Sequence, residues 1–244
     1  MDIVVLAGGK CNPELRDATG AEFRADVPIG GKTLAQIVIG AVRPLGTPVL
    51  VGGPSIEGVR RVQGGDNFCD SLSNGLNQVQ SESFLLVTVD LPSLTTTALQ
   101  DFIDNSDPKA GLNYAVVEKA ACEKAFPGMK RTTLKLREGE FTGGNVALMD
   151  TAMMRRAMPV MQRAYDQRKK PLNLAMIVGF GILARVVVGQ AVPALLPLAA
   201  LERGVGRFLG VPVHAVPSKF AEIAADLDSA DQYKAFMALQ NAAN

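Results

Sequence analysis

The sequence predicts a doubly wound, mostly parallel sheet with helices on both faces, a Rossmann-like three-layer α/β/α sandwich. Three observations carry this expectation. Short, continuously apolar runs rich in β-branched residues recur over the first hundred positions, as strands buried on both faces require. Helical segments separate them, which puts consecutive strands in parallel. Each run ends in glycine or in an acid.

In order, Ile3 to Ala7 reads as a central strand entering Gly8-Gly9-Lys10, and a long polar loop follows. Thr33 to Val42 reads as a helix that Pro44 ends. Val49 to Val51 is a second short strand, stopping at Gly52-Gly53. Residues 70 to 80 and 96 to 105 read as helices, with a strand from Phe84 to Val89 between them that ends at Asp90. Tyr114 to Glu118, Thr132 to Leu136 and Asn145 to Met149 are candidate strands, the last two separated by a turn at residues 137 to 140. A helix over 151 to 167 is broken by Arg168-Lys169-Lys170-Pro171; an apolar stretch to 209, a strand from Val211 to Val216 and a final helix from Ala230 close the chain. The 244 residues suit one domain over 1–244, with an apolar helical insertion or subdomain at about 151–209.

Composition narrows the function. Hydrophobic residues make up 48% and charged residues 20%, enough for a sizeable core. With 25 Lys plus Arg against 24 Asp plus Glu, the net charge of +1 gives no global field for nucleic acid or an acidic membrane, so phosphate binding has to be local. The 3 cysteines form no CxxC, which speaks against a disulfide framework or structural zinc and for a cytoplasmic location without a signal peptide. The single histidine, His214, lies in an apolar run and reads as a strand residue, leaving no material for histidine-based zinc or acyl-transfer chemistry.

Ligands of open α/β sheets sit at the carboxyl ends of the strands, where this sequence puts Gly8-Gly9-Lys10, Gly52-Gly53 and Asp90. Gly8 and Gly9 let a backbone approach phosphate, or form a plain turn; the pattern is neither a Walker A loop nor GxGxxG. Arg24 and Lys32 flank a glycine-bearing turn, as phosphate-binding cations or as solvated surface charges. Asp90 is costly to bury unless paired, and magnesium is a natural partner; the alternative is a turn or capping aspartate. Asp226 and Asp228 bring two further acids near the chain end. Thr142-Gly143-Gly144-Asn145 reads as a ligand-contacting loop or an ordinary turn, and Met129-Lys130-Arg131-Thr132 and Arg168-Lys169-Lys170 as grips for an acceptor's phosphate or, for the second, a helix terminus meeting its dipole.

Together these residues resemble the MobA-like NTP transferase (nucleotidyltransferase) superfamily, related to molybdenum-cofactor guanylyltransferases and sugar-1-phosphate nucleotidyltransferases. Val4 to Lys10 resembles the LAGGK-type opening that binds base and phosphates; Arg24 to Lys32, with Thr33-Leu34, resembles the segment whose lysine touches the phosphates. Gly65-Asp66-Asn67 and Ser71 to Leu76 resemble the stretch beside the base. Thr88 to Leu94 resembles the DxP element whose aspartate holds magnesium, and Asp226-Leu227-Asp228 the late element supplying a second ligand, Asp228 matching better. The family signature continues as GxGTRM; here Lys10 is followed by Cys11 to Leu15 and then Arg16, the candidate substitute.

The resemblance implies a nucleotide-diphospho-sugar transferase type of fold and a magnesium-dependent transfer of NMP from an NTP to a phosphorylated small-molecule acceptor, releasing pyrophosphate. It implies catalytic roles for Arg24, Asp90 and Asp228, with Asp90 and Asp228 also holding the metal. Nucleotide contacts fall on Leu6, Ala7, Gly8, Gly9, Lys10, Arg16, Lys32, Gly65, Asp66 and Ser71, and acceptor contacts on Arg131, Thr142, Gly143, Gly144, Asn145 and Lys169. The alternative is a non-catalytic nucleotide-binding or regulatory protein on the same fold. Leu172 to Ala184 is about 13 residues, short of the roughly 20 that span a bilayer, so 172–209 reads as buried helices, a homodimer face or a peripheral membrane contact.

Overall fold

The computed structural model describes residues 1–167 and 180–243 of the chain. The expectations on Arg168 to Pro171, Lys169 included, and on residues 172–179 lie outside the described residues.

In chain order the strands are β1 (Asp2–Leu6), β2 (Pro28–Ile29), β3 (Lys32–Thr33), β4 (Thr47–Val51), β5 (Arg60–Val62), β6 (Ser83–Thr88), β7 (Leu112–Glu118), β8 (Leu134–Leu136), β9 (Gly139–Asp150) and β10 (Val213–Ser218). The α-helices are α1 (Pro13–Thr19), α2 (Leu34–Val42), α3 (Phe68–Leu76), α4 (Thr96–Asp104), α5 (Lys119–Ala125), α6 (Thr151–Asp166), α7 (Phe180–Ala191), α8 (Leu198–Leu209) and α9 (Ala230–Ala243).

Among the described residues, one sheet of 8 strands runs β10-β7-β9-β6-β1-β4-β5, with β8 paired to β9 off this path. β1 is parallel to both β4 and β6, and β10 to β7; β9 runs antiparallel to β6, β7 and β8. The expected mostly parallel three-layer sandwich is what the chain forms. The alternation of side chains along each strand builds the two cores. Ile3, Val5, Leu50, Leu85 and Val87 meet Val38 and Val42 of α2 and Leu99 and Phe102 of α4. Val4, Leu6, Val51, Phe84 and Leu86 meet Leu72 and Leu76 of α3, Met154 and Ala157 of α6 and Leu209 of α8. Burying each large apolar side chain contributes roughly 1.5–3 kcal/mol, which is why these strands read as unbroken apolar runs.

A third cluster matters more for the site. Leu15 of α1 packs with Val27, Ile29, Leu34, Leu227 and Phe236, so α9 closes over the segment that follows β1. The polar stretch after Lys10 therefore is not a plain loop. Asn12 caps α1 by accepting from the Leu15 N–H at 2.7 Å, Pro13 opens it and Gly20 ends it with φ 74°. A seven-residue helix carrying one buried leucine shows too little periodicity to be read from sequence.

The second correction concerns Thr142-Gly143-Gly144-Asn145. This is not a loop but the middle of the 12-residue β9, held by β7 on one side and at its start by β8 on the other. Its glycines answer to neighbours: a Cβ on Gly143 would lie 2.6 Å from Tyr114 Oη, and one on Gly144 would lie 2.8 Å from Ile223 Cγ2. β5 and α5 are further elements that the sequence did not announce. His214 lies on β10, the edge strand, with Nδ1 3.3 Å from Glu202.

Candidate active site

Along the sheet the chain leaves β1 toward β4 and β5, then returns to the other side of β1 with β6. The carboxyl ends of β1 and β6 therefore flank the switch point of the topology, where a crevice opens. A cleft of about 810 Å³ lies there. Its lining includes Leu6, Gly8, Gly9, Lys10, Arg24, Gly65, Asp66, Ser71 and Asp90.

The floor of the cleft depends on Gly52 and Gly53, which the sequence puts at a strand end on the ligand side of the sheet without assigning them a contact. Gly52 and Gly53, at the end of β4, have φ 75° and 65°. A Cβ on Gly52 would lie 2.7 Å from Gly8 Cα, and one on Gly53 2.8 Å from Ala7 Cβ. The β4 turn thus presses against the β1 turn with no space for a side chain. Gly8 and Gly9 differ. Neither has positive φ, and the nearest atom to a Cβ on Gly9 would be Arg24 Cδ at 3.8 Å. The protein itself does not require glycine at 8 and 9; the space in front of them is open cleft.

The opposite wall is rigid. Asn67 caps α3 by accepting from the Cys69 and Asp70 N–H groups at 2.8 and 3.1 Å, and the Gly65 N–H donates to Ser71 Oγ at 3.0 Å. These bonds fix Gly65 and Asp66 at the rim beside Phe68, an aromatic exposed at 44%. Ser71 serves as a tether for Gly65.

Asp90 lies just past the end of β6 and is buried. The Leu227 N–H donates to the Asp90 carbonyl at 2.9 Å, stitching the late acidic segment to the end of β6. Thr88 Oγ1 donates to Asp90 Oδ1 at 2.6 Å. Arg24 Nη1 lies 2.8 Å from Asp90 Oδ2 and 2.6 Å from Asp228 Oδ1, so one nitrogen bridges both carboxylates. Asn12 Nδ2 donates to the Asp228 carbonyl at 3.0 Å, tying α1 to the same corner. Burial opposes the charge of Arg24, but Asp90 and Asp228 outweigh it and raise its pKa.

Asp226 faces another partner. It pairs with Arg131, whose Nη2 also donates to the Asp226 carbonyl at 2.9 Å. Burial raises the Asp226 carboxyl to about 7, with Asp228 and Asp90 pushing the same way and Arg131 pulling against them. The two late aspartates stay in side-chain contact but take different cations: Asp228 is half exposed and turned to Arg24, while Asp226 is enclosed with Arg131.

Several expected contacts fall elsewhere. Arg131 is only 8% exposed and its guanidinium is taken up by Asp226, so it is not free to grip a phosphate. Lys32 sits in the β2–β3 hairpin and lines a different surface hollow with Gln36 and Arg43. Arg16 is exposed on α1, 3.7 Å from Asp17, and does not line the cleft. Ala7 is fully buried under Gly53. Thr142 is buried and donates to the Thr132 carbonyl at 3.0 Å, and Gly144 is packed beneath Ala115 and Ile223. Gly143 is exposed and Asn145 half-buried on β9.

Beside them stands Tyr114, 39% exposed on the inner strand β7, its hydroxyl seated over Gly143. Burial of that hydroxyl first, and then the charge of Asp226, raise its pKa. Nothing in the sequence marked Tyr114; an aromatic within a strand reads as core. Burial alone raises the Asp26 carboxyl at the cleft wall.

The family model for the MobA-like NTP transferase domain matches residues 3–241. The chain belongs to this family. It is a nucleotidyltransferase by that membership. A solved hypothetical transferase from Thermus thermophilus is 34% identical, with TM-score 0.82, covering 93% of this chain and 96% of its own. A nucleotidyl transferase from Methanothermobacter (16% identity, TM-score 0.58) covers 100% of this chain and 98% of its own. A 2-C-methyl-D-erythritol 4-phosphate cytidylyltransferase, also from Thermus thermophilus (16%, TM-score 0.55), covers 98% of each chain. At that identity, the last two are similar in fold. No curated protein matches the chain. Among the described residues, no helix of this MobA-like transferase is long and apolar enough to cross a membrane.

Proposed function

We propose that this MobA-like transferase moves NMP from an NTP to a phosphorylated small-molecule acceptor and releases pyrophosphate, with magnesium held by Asp90 and Asp228. The observation that carries this reading is the convergence of these two carboxylates on one cationic nitrogen at the mouth of a glycine-walled cleft.

Among the described residues no group of 3 or more His, Cys, Asp or Glu forms a metal cage. Magnesium does not need one: it commonly takes one or two carboxylates and completes its shell with water and substrate phosphates. Two hard oxygen donors already gathered around a cation fit that demand. Held there by Asp90 and Asp228, magnesium would supply positive charge to neutralise what develops on the phosphates during transfer.

The residues of the chain do the rest. Gly8 and Gly9 give the triphosphate a wall without side chains, and Gly65 and Asp66 lie at the rim for base or ribose. Arg24 offers a guanidinium to charge building on the phosphates. Lys10, exposed 3.8 Å from Glu22 at the cleft mouth, adds a mobile ammonium. Gly143, Asn145 and Tyr114 form the acceptor's side. A phosphate acceptor is already ionised and attacks the α-phosphorus without a general base, so one edge histidine is no obstacle.

A panel of NTPs screened by thermal shift with magnesium, then pyrophosphate assays with phosphorylated acceptors, tests the proposal. Nucleotide binding without pyrophosphate release across the panel would favour the second reading, a non-catalytic nucleotide-binding protein. One observation supports that reading: Arg16 does not line the cleft, leaving the position of the family's signature arginine to other groups. We also propose residues 1–244 as one functional unit in the cytoplasm, with none of Cys11, Cys69 and Cys122 in a disulfide among the described residues. The exposed Val187, Val188, Val192 and Leu195 fit a homodimer face or a peripheral membrane contact within 172–209.

A further inference from the structure

Arg24 carries more information than a phosphate ligand needs to. Its Nη1 sits between Asp90 and Asp228 at 2.8 and 2.6 Å, the position a bridging divalent ion would take. A third carboxylate, Asp226, lies close by on the same segment and contributes to the same negative field. Carboxylates gathered this closely repel one another unless a cation lies between them. In a chain without metal, that cation is Arg24.

Its hold is incomplete. Arg24 Nε is buried and has no hydrogen-bond partner among the described residues. A guanidinium anchored at one end only, with an unmet donor, is poised to gain by moving to richer acceptors. The stem of Arg24 runs past Gly9, and Arg24 itself lines the cleft, so rotation about its outer torsions carries the head from the carboxylates into the space before Gly8 and Gly9. Phosphate oxygens would meet all of its N–H groups there.

We propose that Arg24 occupies the cation position of this site in the nucleotide-free enzyme, and that a divalent ion enters only by displacing it toward the phosphates. This inference rests on the metal-site reading above. It makes Arg24 a reciprocal coupler: whatever draws its guanidinium into the cleft opens Asp90 and Asp228 to metal, and metal at those carboxylates releases Arg24 to the phosphates. It also accounts for a metal site that is compact yet already neutralised.

The test uses the full chain and manganese ion alone, read by the electron paramagnetic resonance signal of the free ion. Arg24→Gln, which cannot bridge two carboxylates, is expected to bind manganese about 10-fold or more tighter than the wild type, within the range of coupled sites. Adding Asp90→Asn to Arg24→Gln is expected to abolish the gain. Equal or weaker binding by Arg24→Gln, with dependence on Asp90 retained, would overturn the inference and leave the metal site standing. Binding indifferent to Asp90→Asn in both backgrounds would overturn the metal reading itself. Should Arg24→Gln fold poorly without metal, Arg24→Met, which keeps an unbranched stem but brings no cation to the carboxylates, is measured in the same way. It is expected to bind manganese tighter than the wild type, and no gain there overturns the inference.

Discussion

Gly8, Gly9, Gly52 and Gly53 at the cleft divide into two kinds, and substituting one of each separates fold from ligand. Gly52 has φ 75°, and a Cβ there would lie 2.7 Å from Gly8 Cα and 2.9 Å from Gly8 N, both backbone atoms that cannot step aside. Left-handed backbone costs a side-chain-bearing residue roughly 1–2 kcal/mol. Overpacking adds roughly 1–3 kcal/mol, so Gly52→Ala should destabilise by roughly 2–5 kcal/mol. At about 2–4 °C per kcal/mol for a chain of this size, the melting temperature should fall by roughly 5–20 °C.

Gly9→Ala meets only Arg24 Cδ, at 3.8 Å, with no positive φ to strain. Its stability change should stay within about 0.5 kcal/mol, a shift of about 2 °C or less. Its new methyl group would project toward the phosphates. If overpacking against them costs roughly 1–3 kcal/mol, the NTP Kd should rise roughly 5–150-fold. Calorimetry gives the melting temperatures and titration calorimetry the Kd. Normal NTP affinity in folded Gly9→Ala, or a loss of stability matching that of Gly52→Ala, would refute the placement of the phosphates against this turn.

Three other outcomes follow from the same site. Asp90→Asn keeps the shape of a side chain that accepts from Thr88 and Arg24, and should cut turnover about 100-fold or more while leaving the far-ultraviolet circular dichroism unchanged; near-normal turnover would remove Asp90 from the chemistry. Under limiting magnesium, Asp228→Asn should raise the magnesium requirement more than Asp226→Asn does, because Asp226 is turned to Arg131; the reverse order in a magnesium titration would exchange their roles. Phe102→Ala, in the fully buried core between α4 and the sheet, should destabilise by about 3–5 kcal/mol without changing the KM for NTP, and an altered KM would connect that core to the cleft.

What the sequence by itself determined is the central sheet and which residues stand at its strand ends. β1, β4 and β6 are buried on both faces, so their apolar runs needed no partner to be recognised, and the turns after them put Gly8, Gly9 and Asp90 where the cleft opens. Arg24 and Asp228 stood out as a cation beside a glycine-bearing turn and an acid near the chain end, but the preference for Asp228 over Asp226 as a partner of Asp90 came only through resemblance to a family. Tertiary structure decided what depends on contacts between distant segments. Thr142 to Asn145 reads as a loop because glycine weakens a strand, yet pairing with β7 and the crowding by Tyr114 and Ile223 hold it within β9. Arg131 reads as a free cation, yet burial beside Asp226 neutralises it. Gly52 and Gly53 read as glycines at a ligand-side strand end, and only the close approach of β4's end to Ala7 and Gly8 makes glycine obligatory there. The bridge from Arg24 to Asp90 and Asp228 spans three parts of the chain, brought together by the Leu227–Asp90 backbone bond and by α9 packing over α1. Periodicity records which side of a residue is buried; it carries no record of which charge will face it.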